Sequence, residues 1–227
     1  MKGLKSKVFI LLLLVMLCIA TSVFAVNDDE YGVVPISLDD EAMPISDVPA
    51  TTIVKHDVFI TEDSVNLDYN VDGNVFIMGK DVSISGSIDG NVFVLANNLT
   101  IDTDAHIYCD LFVCANNVTI SGNVFNMYSV SSKLTVDSDA YVARDITATT
   151  SSFSLAGSVG RNVNISFSDA LVSTDAIVGG DFNYSASASS AIPESVVTGS
   201  INFTKVETSN DESFVLKKNY ALDALKV

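Results

Sequence analysis

The sequence predicts an all-β protein, built as a right-handed parallel β-helix of about eight coils with a triangular cross-section. Three observations support this fold class. A short phrase recurs at a period of about 18 residues, and within each period apolar residues alternate with polar ones in three short pairs. Gly, Asn, Asp and Ser fall between the pairs, where the chain must turn. Three short strands per period, repeated along the chain, describe a solenoid whose coils stack on one another.

Residues 1–25 are expected to be a secretory signal peptide and not part of the fold. Three lysines precede an apolar run from Val8 to Ala20. A basic segment, an apolar segment of this length and a small residue at the end, here Ala25, are the parts of such a peptide. The protein is therefore predicted to be exported, to the cell envelope or the extracellular space.

Residues 26–54 are predicted to form a flexible acidic leader. They carry Asp28-Asp29-Glu30, Asp39-Asp40-Glu41 and three of the four prolines, without any periodicity. The whole chain has 12 basic and 28 acidic residues. That balance argues against nucleic acid as a partner, because phosphate contacts need a basic surface, and against docking on anionic lipid.

The repeat domain is predicted over residues 55–206, and the phrase at 71–76 returns nearly unchanged at 88–93. Each coil is aligned on an apolar anchor, with a second apolar residue two positions further on. Strand alternation turns both toward a core. The predicted anchors are Val75, Val92, Leu111, Tyr128, Ile146, Val163, Phe182 and Ile201. Their predicted inward partners are Ile77, Val94, Val113, Val130, Ala148, Ile165, Tyr184 and Phe203.

Two further sets of alternating apolar pairs complete the coils. The second set is Val82/Ile84, Leu99/Ile101, Val118/Ile120, Leu134/Val136 and Phe153/Leu155, and the third is Ala105/Ile107, Ala140/Val142 and Ala176/Val178. A left-handed hexapeptide solenoid has a similar period but needs one apolar residue in every six. That series runs from Val65 through Val71 and Ile77 and then fails at Ser83. The paired pattern therefore favours the right-handed form.

The residues that precede the anchors are polar in seven of the eight coils and are expected to stack at one corner. In the predicted register they are Asn74, Asn91, Asp110, Met127, Asp145, Asn162, Asp181 and Ser200. Stacked side-chain amides can bond one another and the local backbone. Asn97-Asn98 over Asn116-Asn117 would form a second stack. Both are interpreted as structural ladders.

We predict no catalytic residue, no cofactor and no metal site. The chain has two histidines, His56 and His106, and its candidate thiols Cys109 and Cys114 lie too far apart along an extended segment to bond. A polysaccharide-cleaving β-helix enzyme is the less favoured alternative, because it would need charged groups converging in a groove and the coils carry few basic residues: Lys80, Lys133, Arg144 and Arg161. An extracellular binding module or adhesin for a glycan or a surface remains the alternative, with the pair Thr147 and Thr149 as its one outward feature.

An apolar patch is predicted on the outer surface of the early coils. The residue after each anchor should face solvent, and this row is aromatic until it becomes polar at Ser129. The row two positions further on is apolar until Ser131. The candidate interaction patch is Phe76, Met78, Phe93, Leu95, Phe112 and Cys114. Six such side chains would expose roughly a few hundred Å² of apolar surface, an area at which a patch indicates a partner. The partner is predicted to be either another copy of this protein or a different envelope protein. The alternative is that the leader folds back over the patch, since Val54 to Ile60 is apolar enough.

The corners Gly73-Asn74-Val75 and Gly180-Asp181-Phe182, with their Val-x-Ile pairs, resemble the polymer-forming repeats of bactofilins, which are bacterial cytoskeletal scaffolds. The resemblance covers about residues 57–206. It implies a right-handed triangular β-helix without enzymatic activity or cofactor, and end-to-end assembly with copies of itself. The segments 179–185, 191–194 and 197–199 resemble the closing coil of exported relatives, in which membrane helices follow the repeat.

Residues 207–227 are predicted to form a polar linker and a short amphipathic tail. Contact with a membrane is expected only if the chain continues beyond Val227. The function predicted from the sequence is a non-enzymatic structural or assembly module of the bacterial cell envelope, which associates with itself or with another envelope protein.

Overall fold

Residues 53–206 form a right-handed parallel β-solenoid in the computed structural model, so the predicted fold class is confirmed. Strands of successive coils pair in parallel, and apolar side chains alternate into one continuous core. The structure describes residues 53–206. The predicted signal peptide, nearly all of the predicted leader and the predicted tail lie outside the described residues.

The chain contributes strands to three faces, which repeat coil after coil. The strands of the first coils are β1 (Ile53–Val54), β2 (Val58–Leu67), β3 (Asn70–Val71), β4 (Val75–Ile84), β5 (Ser87–Ile88), β6 (Val92–Ile101), β7 (His106–Ile120) and β8 (Asn123–Val136). Those of the later coils are β9 (Tyr141–Val142), β10 (Ile146–Thr149), β11 (Ser152–Leu155), β12 (Ser158–Val159), β13 (Val163–Ser166), β14 (Asp169–Val172), β15 (Ile177–Val178), β16 (Phe182–Ala186) and β17 (Ile201–Lys205). A short 3-10 helix, Glu194–Val196, precedes β17.

The first face, defined by the pairing that runs from β2 to β17, has nine rungs within the described residues. Their leading inward residues are Val58, Val75, Val92, Leu111, Met127, Ile146, Val163, Phe182 and Ile201. The sequence predicted about eight coils. In the structure β2 pairs with β4 in regular register, and the pairing already begins at Ile53 and Val54, two residues before the expected boundary.

One predicted anchor is wrong by one residue. Met127, not Tyr128, pairs with Leu111 and Ile146 and is fully buried, whereas Tyr128 is 37% exposed. Its inward partner is accordingly Ser129, which is buried, in place of the predicted Val130. The cause is an irregularity between Ile107 and Asp110 in β7, which makes the following coil only 16 residues long at this corner. A shift of one residue moves each side chain to the opposite face of its strand.

The core holds the coils together, because no coil can bury its own apolar face alone. In the coil that starts at Val92, the inward residues Val94, Leu99, Ile101 and Ile107 are all 0–2% exposed. Each such side chain contributes about 1.5–3 kcal/mol on burial. The second and third sets of predicted apolar pairs are all buried, as predicted. The backbones of adjacent coils approach closely at Gly86, where a Cβ would overlap the carbonyl oxygen of Tyr69.

The C-terminal coil is irregular. Between β16 and β17 the chain leaves the strand pattern, and Ile192 and Val196 pack into the core. β17 then returns to the first face and pairs with β16. Phe203, predicted to point into the core, is 39% exposed, because its rung has a described neighbour on one side only. Among residues 53–206, no helix has the length and apolarity needed to cross a membrane.

Candidate interaction face

A ladder of polar side chains runs along one corner of the solenoid, which we call the corner ladder. Its members are Asp57, Asn74, Asn91, Asp110, Asn126, Asp145, Asn162, Asp181 and Ser200. Asn126 takes the place predicted for Met127, which follows from the corrected register. Most side-chain oxygens accept a hydrogen bond from the backbone N–H of the next member, at 2.7–3.2 Å, for example from Asn74 to Asp57 Oδ1. The ladder therefore satisfies backbone donors at the turn.

The order of residues in the corner ladder keeps its carboxylates apart. No two aspartates are adjacent, because at least one asparagine separates each aspartate from the next. The Nδ2 group of Asn126 donates to Asp110 Oδ1 at 2.9 Å, and its own Oδ1 accepts from the N–H of Asp145 at 3.2 Å. Asp110, Asp145 and Asp181 are thus spaced by two coils, about 10 Å. They bond the backbone or an amide instead of converging as catalytic carboxylates would.

Other polar groups of the described coils are also engaged in stacking. Asn98 Oδ1 accepts from Asn117 Nδ2 at 2.8 Å, and Asn97 bonds Asn116 in the same way, which confirms the second predicted ladder. Cys109 and Cys114 are free thiols. Between residues 53 and 206, no group of three or more His, Cys, Asp or Glu side chains is arranged to hold a metal ion. Within residues 53–206, these polar groups stack on one another and do not converge as the groups of a reactive site would.

The outer side of the first face carries a stack of aromatic rings, which we call the aromatic ladder. Its members are Phe59, Phe76, Phe93, Phe112 and Tyr128. Consecutive ring centroids are 4.6–4.9 Å apart, with interplanar angles of 3–9°. This separation matches the spacing of the coils, so the parallel pairing itself aligns the rings. Each stacked pair adds about 0.5–1.5 kcal/mol beyond its area burial.

A second outward row, the aliphatic row, runs beside the aromatic ladder. Its members are Thr61, Met78, Leu95, Cys114 and Val130. Met78 is 52% exposed and Leu95 42% exposed. The six residues of the predicted patch all lie outward on these two rows. The apolar surface also extends beyond them in both directions, to Phe59 in the first coil and to Tyr128 and Val130 in the fifth, where the predicted register placed Ser129 and Ser131.

The remaining coils continue the same two rows with small polar residues. The aromatic ladder is followed by Thr147, Asn164, Asn183 and Asn202, and the aliphatic row by Thr149, Ser166, Ser185 and Thr204. The three asparagines bond one another at 2.9 Å. The outward residues of all nine rungs on this face are therefore uncharged, and we call this surface the uncharged face.

The geometry limits what the uncharged face can do chemically. The rings of the aromatic ladder cover one another's faces and present their edges outward. A sugar ring that stacks on an aromatic side chain needs a free ring face. The aromatic ladder therefore suits contact with a flat apolar surface better than it suits a glycan. The segment from Val54 to Ile60, the alternative cover for the patch, is instead part of the first coil, and Val54 packs against the core.

These features define a class of protein: a stacked β-solenoid with polar ladders at its corners and a flat uncharged face. Residues 64–164 match the family model of the bactofilins, which are described as polymer-forming cytoskeletal proteins. This stretch, from β2 into β13, is therefore bactofilin-like, and it contains most of the aromatic ladder. No curated protein and no solved structure gives a significant match to the chain.

Proposed function

We propose that this protein is a non-enzymatic structural module of the bacterial cell envelope that assembles with its own copies. The observation that carries the proposal is the bactofilin match, which falls on nearly six coils of the solenoid. The family's description as polymer-forming supports self-association. The polar residues of the corner ladder support a structural role, because their hydrogen bonds serve adjacent coils.

Two finer parts of the proposal come from the sequence. The predicted signal peptide in residues 1–25 supports export. The resemblance to polymer-forming repeats supports joining of solenoids end to end, so that coils of one copy continue those of the next. A stack of nine coils is about 40 Å long, so a filament built in this way would repeat at about that distance.

Negative-stain microscopy of the purified protein over a range of concentration and salt tests assembly. We expect filaments or discrete oligomers whose amount rises with protein concentration. Single short rods under all conditions would contradict the proposal and favour a monomeric binding module.

Export is tested separately by fusing residues 1–25 to a reporter that is active only outside the cytoplasm, with Leu11→Arg and Leu13→Arg as the inactive control. A silent wild-type fusion would contradict an envelope role.

A further inference from the structure

We infer that the uncharged face is a lateral interface at which a second copy of this protein pairs side by side, in parallel orientation and coil against coil. This inference rests on the proposed function, because it names the partner of a scaffold taken to assemble. It concerns a different surface from the ends of the solenoid, and it predicts paired filaments where end-to-end joining alone predicts single ones.

Charge is the first argument for a second copy. The chain carries a net charge of −16, so two copies repel each other over most of their surfaces. The neighbouring face is the one that includes β11 and β14. One of its outward columns contains three exposed charged residues, Asp81, Lys133 and Asp169. The uncharged face has no charged outward residue along its nine rungs. Two copies can therefore approach there without burying an unpaired charge, which is strongly unfavourable.

The second argument is the match between the two halves of this face. In a parallel pair, the half of the face that carries the aromatic ladder meets the same half of the partner. The half that carries the three asparagines then also meets its counterpart. In an antiparallel pair that overlaps fully, stacked rings would face the side-chain amides of Asn164, Asn183 and Asn202. An antiparallel pair restricted to the aromatic halves would use only five rungs. Parallel pairing avoids both the mismatch and the loss of area.

The contact area supports the same choice. Nine rungs at about 4.8 Å, each with a four-residue strand about 13 Å long, give about 500 Å² per copy. The pair would bury about 1,000 Å², which is near the lower limit for a specific interface. Five rungs would bury little more than half of that. A weak lateral contact is sufficient in a filament, because each added copy strengthens the association of the two strings.

The side chains of the two rows are complementary in a parallel pair. A two-fold axis along the rods inverts the order of the rows, so the aromatic ladder of one copy lies opposite the aliphatic row of its partner. Phe93 would then contact Leu95 of the partner, and Leu95 would contact Phe93 in return. The contact is isologous, as two-fold interfaces are. Flat faces from stacked strands pack in this way when their side chains interdigitate.

Sedimentation velocity of the full chain with the substitution Leu95→Glu tests the interface. Leu95 is 42% exposed, so the substitution should leave the solenoid folded, but in the pair it would bury an unpaired carboxylate. We expect the dissociation constant to rise about tenfold or more. The control is Leu171→Glu, on the neighbouring face, where Leu171 is 71% exposed, and it should not change association. Equal association for both variants would overturn the inference. So would an unchanged mass with a lowered melting temperature for Leu95→Glu alone, which would mean that a segment of the same chain covers the face.

The orientation is tested by crosslinking. In a Cys18→Ser, Cys109→Ser, Cys114→Ser background, which removes all three cysteines of the chain, Thr61→Cys places a thiol at the aliphatic row of the first coil. In a parallel pair the two such thiols would be about 12 Å apart, because sheets pack at about 10 Å and the rows are about 7 Å apart. A short bismaleimide reagent should then give a covalent dimer, and Leu171→Cys in the same background should not. A pair that forms without this crosslink would overturn the parallel orientation.

Filament width separates this inference from the proposed function. Under assembly conditions we expect paired filaments for the wild type and single ones for Leu95→Glu. Single filaments in both cases would overturn lateral pairing and leave the polymer-forming role intact. Discrete pairs without filaments would support the interface and contradict end-to-end assembly.

Discussion

Asn126 offers a sharp test of the corner ladder, because it stands between two aspartates. The substitution Asn126→Ala removes two contacts: the donor to Asp110 Oδ1 at 2.9 Å and the acceptor for the backbone N–H of Asp145 at 3.2 Å. A part-buried group left without its partner costs about 1–3 kcal/mol. We expect Asn126→Ala to lower the free energy of unfolding by about 2 kcal/mol.

Asn126→Asp keeps the acceptor but replaces the donor with a carboxylate. It would stand one coil, about 4.8 Å, from Asp110 on one side and from Asp145 on the other. Repulsion at that distance is about 1 kcal/mol per pair with the screening of bulk water and about 3 kcal/mol at an effective dielectric constant of 20. We therefore expect Asn126→Asp to destabilise the protein more than Asn126→Ala at neutral pH. Asn164→Ala, in the exposed ladder of the first face, is the control and should cost less than 1 kcal/mol.

Urea denaturation followed by circular dichroism, at a concentration below the onset of association, measures these differences. The predicted order of stability is wild type, then Asn164→Ala, then Asn126→Ala, then Asn126→Asp. If Asn126→Asp is as stable as the wild type, the separation of carboxylates in the corner ladder has no energetic role. If Asn126→Ala equals its control, the ladder does not support the coils.

Three further predictions address register, close packing and pH. Met127→Ser should cost about 3 kcal/mol, because Met127 is fully buried, whereas Tyr128→Ser should cost about 1 kcal/mol through one lost ring stack; the reverse order in urea denaturation would restore the register predicted from the sequence. Gly86→Ala should cost about 3 kcal/mol in the same assay, since its Cβ would overlap the Tyr69 carbonyl, and a wild-type midpoint would contradict the close approach of the coils. Burial, followed by the charges of Asp68 and Glu62, raises the pKa of Tyr69 above its usual 10.0. The folded protein then holds the phenol proton more tightly than the unfolded chain does. Stability should consequently be unaffected by this group below pH 10 and should fall as the pH rises above it. Thermal melts of Tyr69→Phe should lack that alkaline loss, and an identical loss in both proteins would refute it.

The fold could be predicted from the sequence because every coil of the solenoid repeats the same alternation of apolar and polar residues. Val92, Val94, Leu99 and Ile101 each have a counterpart in the neighbouring coils, and alternation of apolar residues alone assigns them to the core. A single ambiguous coil could not change that result. The corner ladder was predictable for the same reason, since a polar residue recurs before the anchors.

The sequence was insufficient where coils differ in length. Tyr128 and Val130 alternate as plausibly as Met127 and Ser129 do, and the apolar pattern favoured the more hydrophobic pair. The irregularity in β7 decides the register, and it depends on pairing between coils, which alternation within one coil does not encode. Because of this error, the prediction left Tyr128 out of the aromatic ladder and Asn126 out of the corner ladder. The sequence did contain a signal for the correct register. The other predicted ladder positions are polar, whereas this coil was given Met127, and the polar Asn126 lies one position before it.

X-ray fibre diffraction from aligned assemblies tests most directly the central claim that this protein is a scaffold built by continuing its own coils. Coils stack at about 4.8 Å along the solenoid axis, so filaments formed by end-to-end joining should give a strong reflection at that spacing on the meridian, parallel to the filament. A 4.8 Å reflection on the equator would mean that the solenoids lie across the filament. That result, or the failure of the purified protein to form any assembly that can be aligned, would contradict the account.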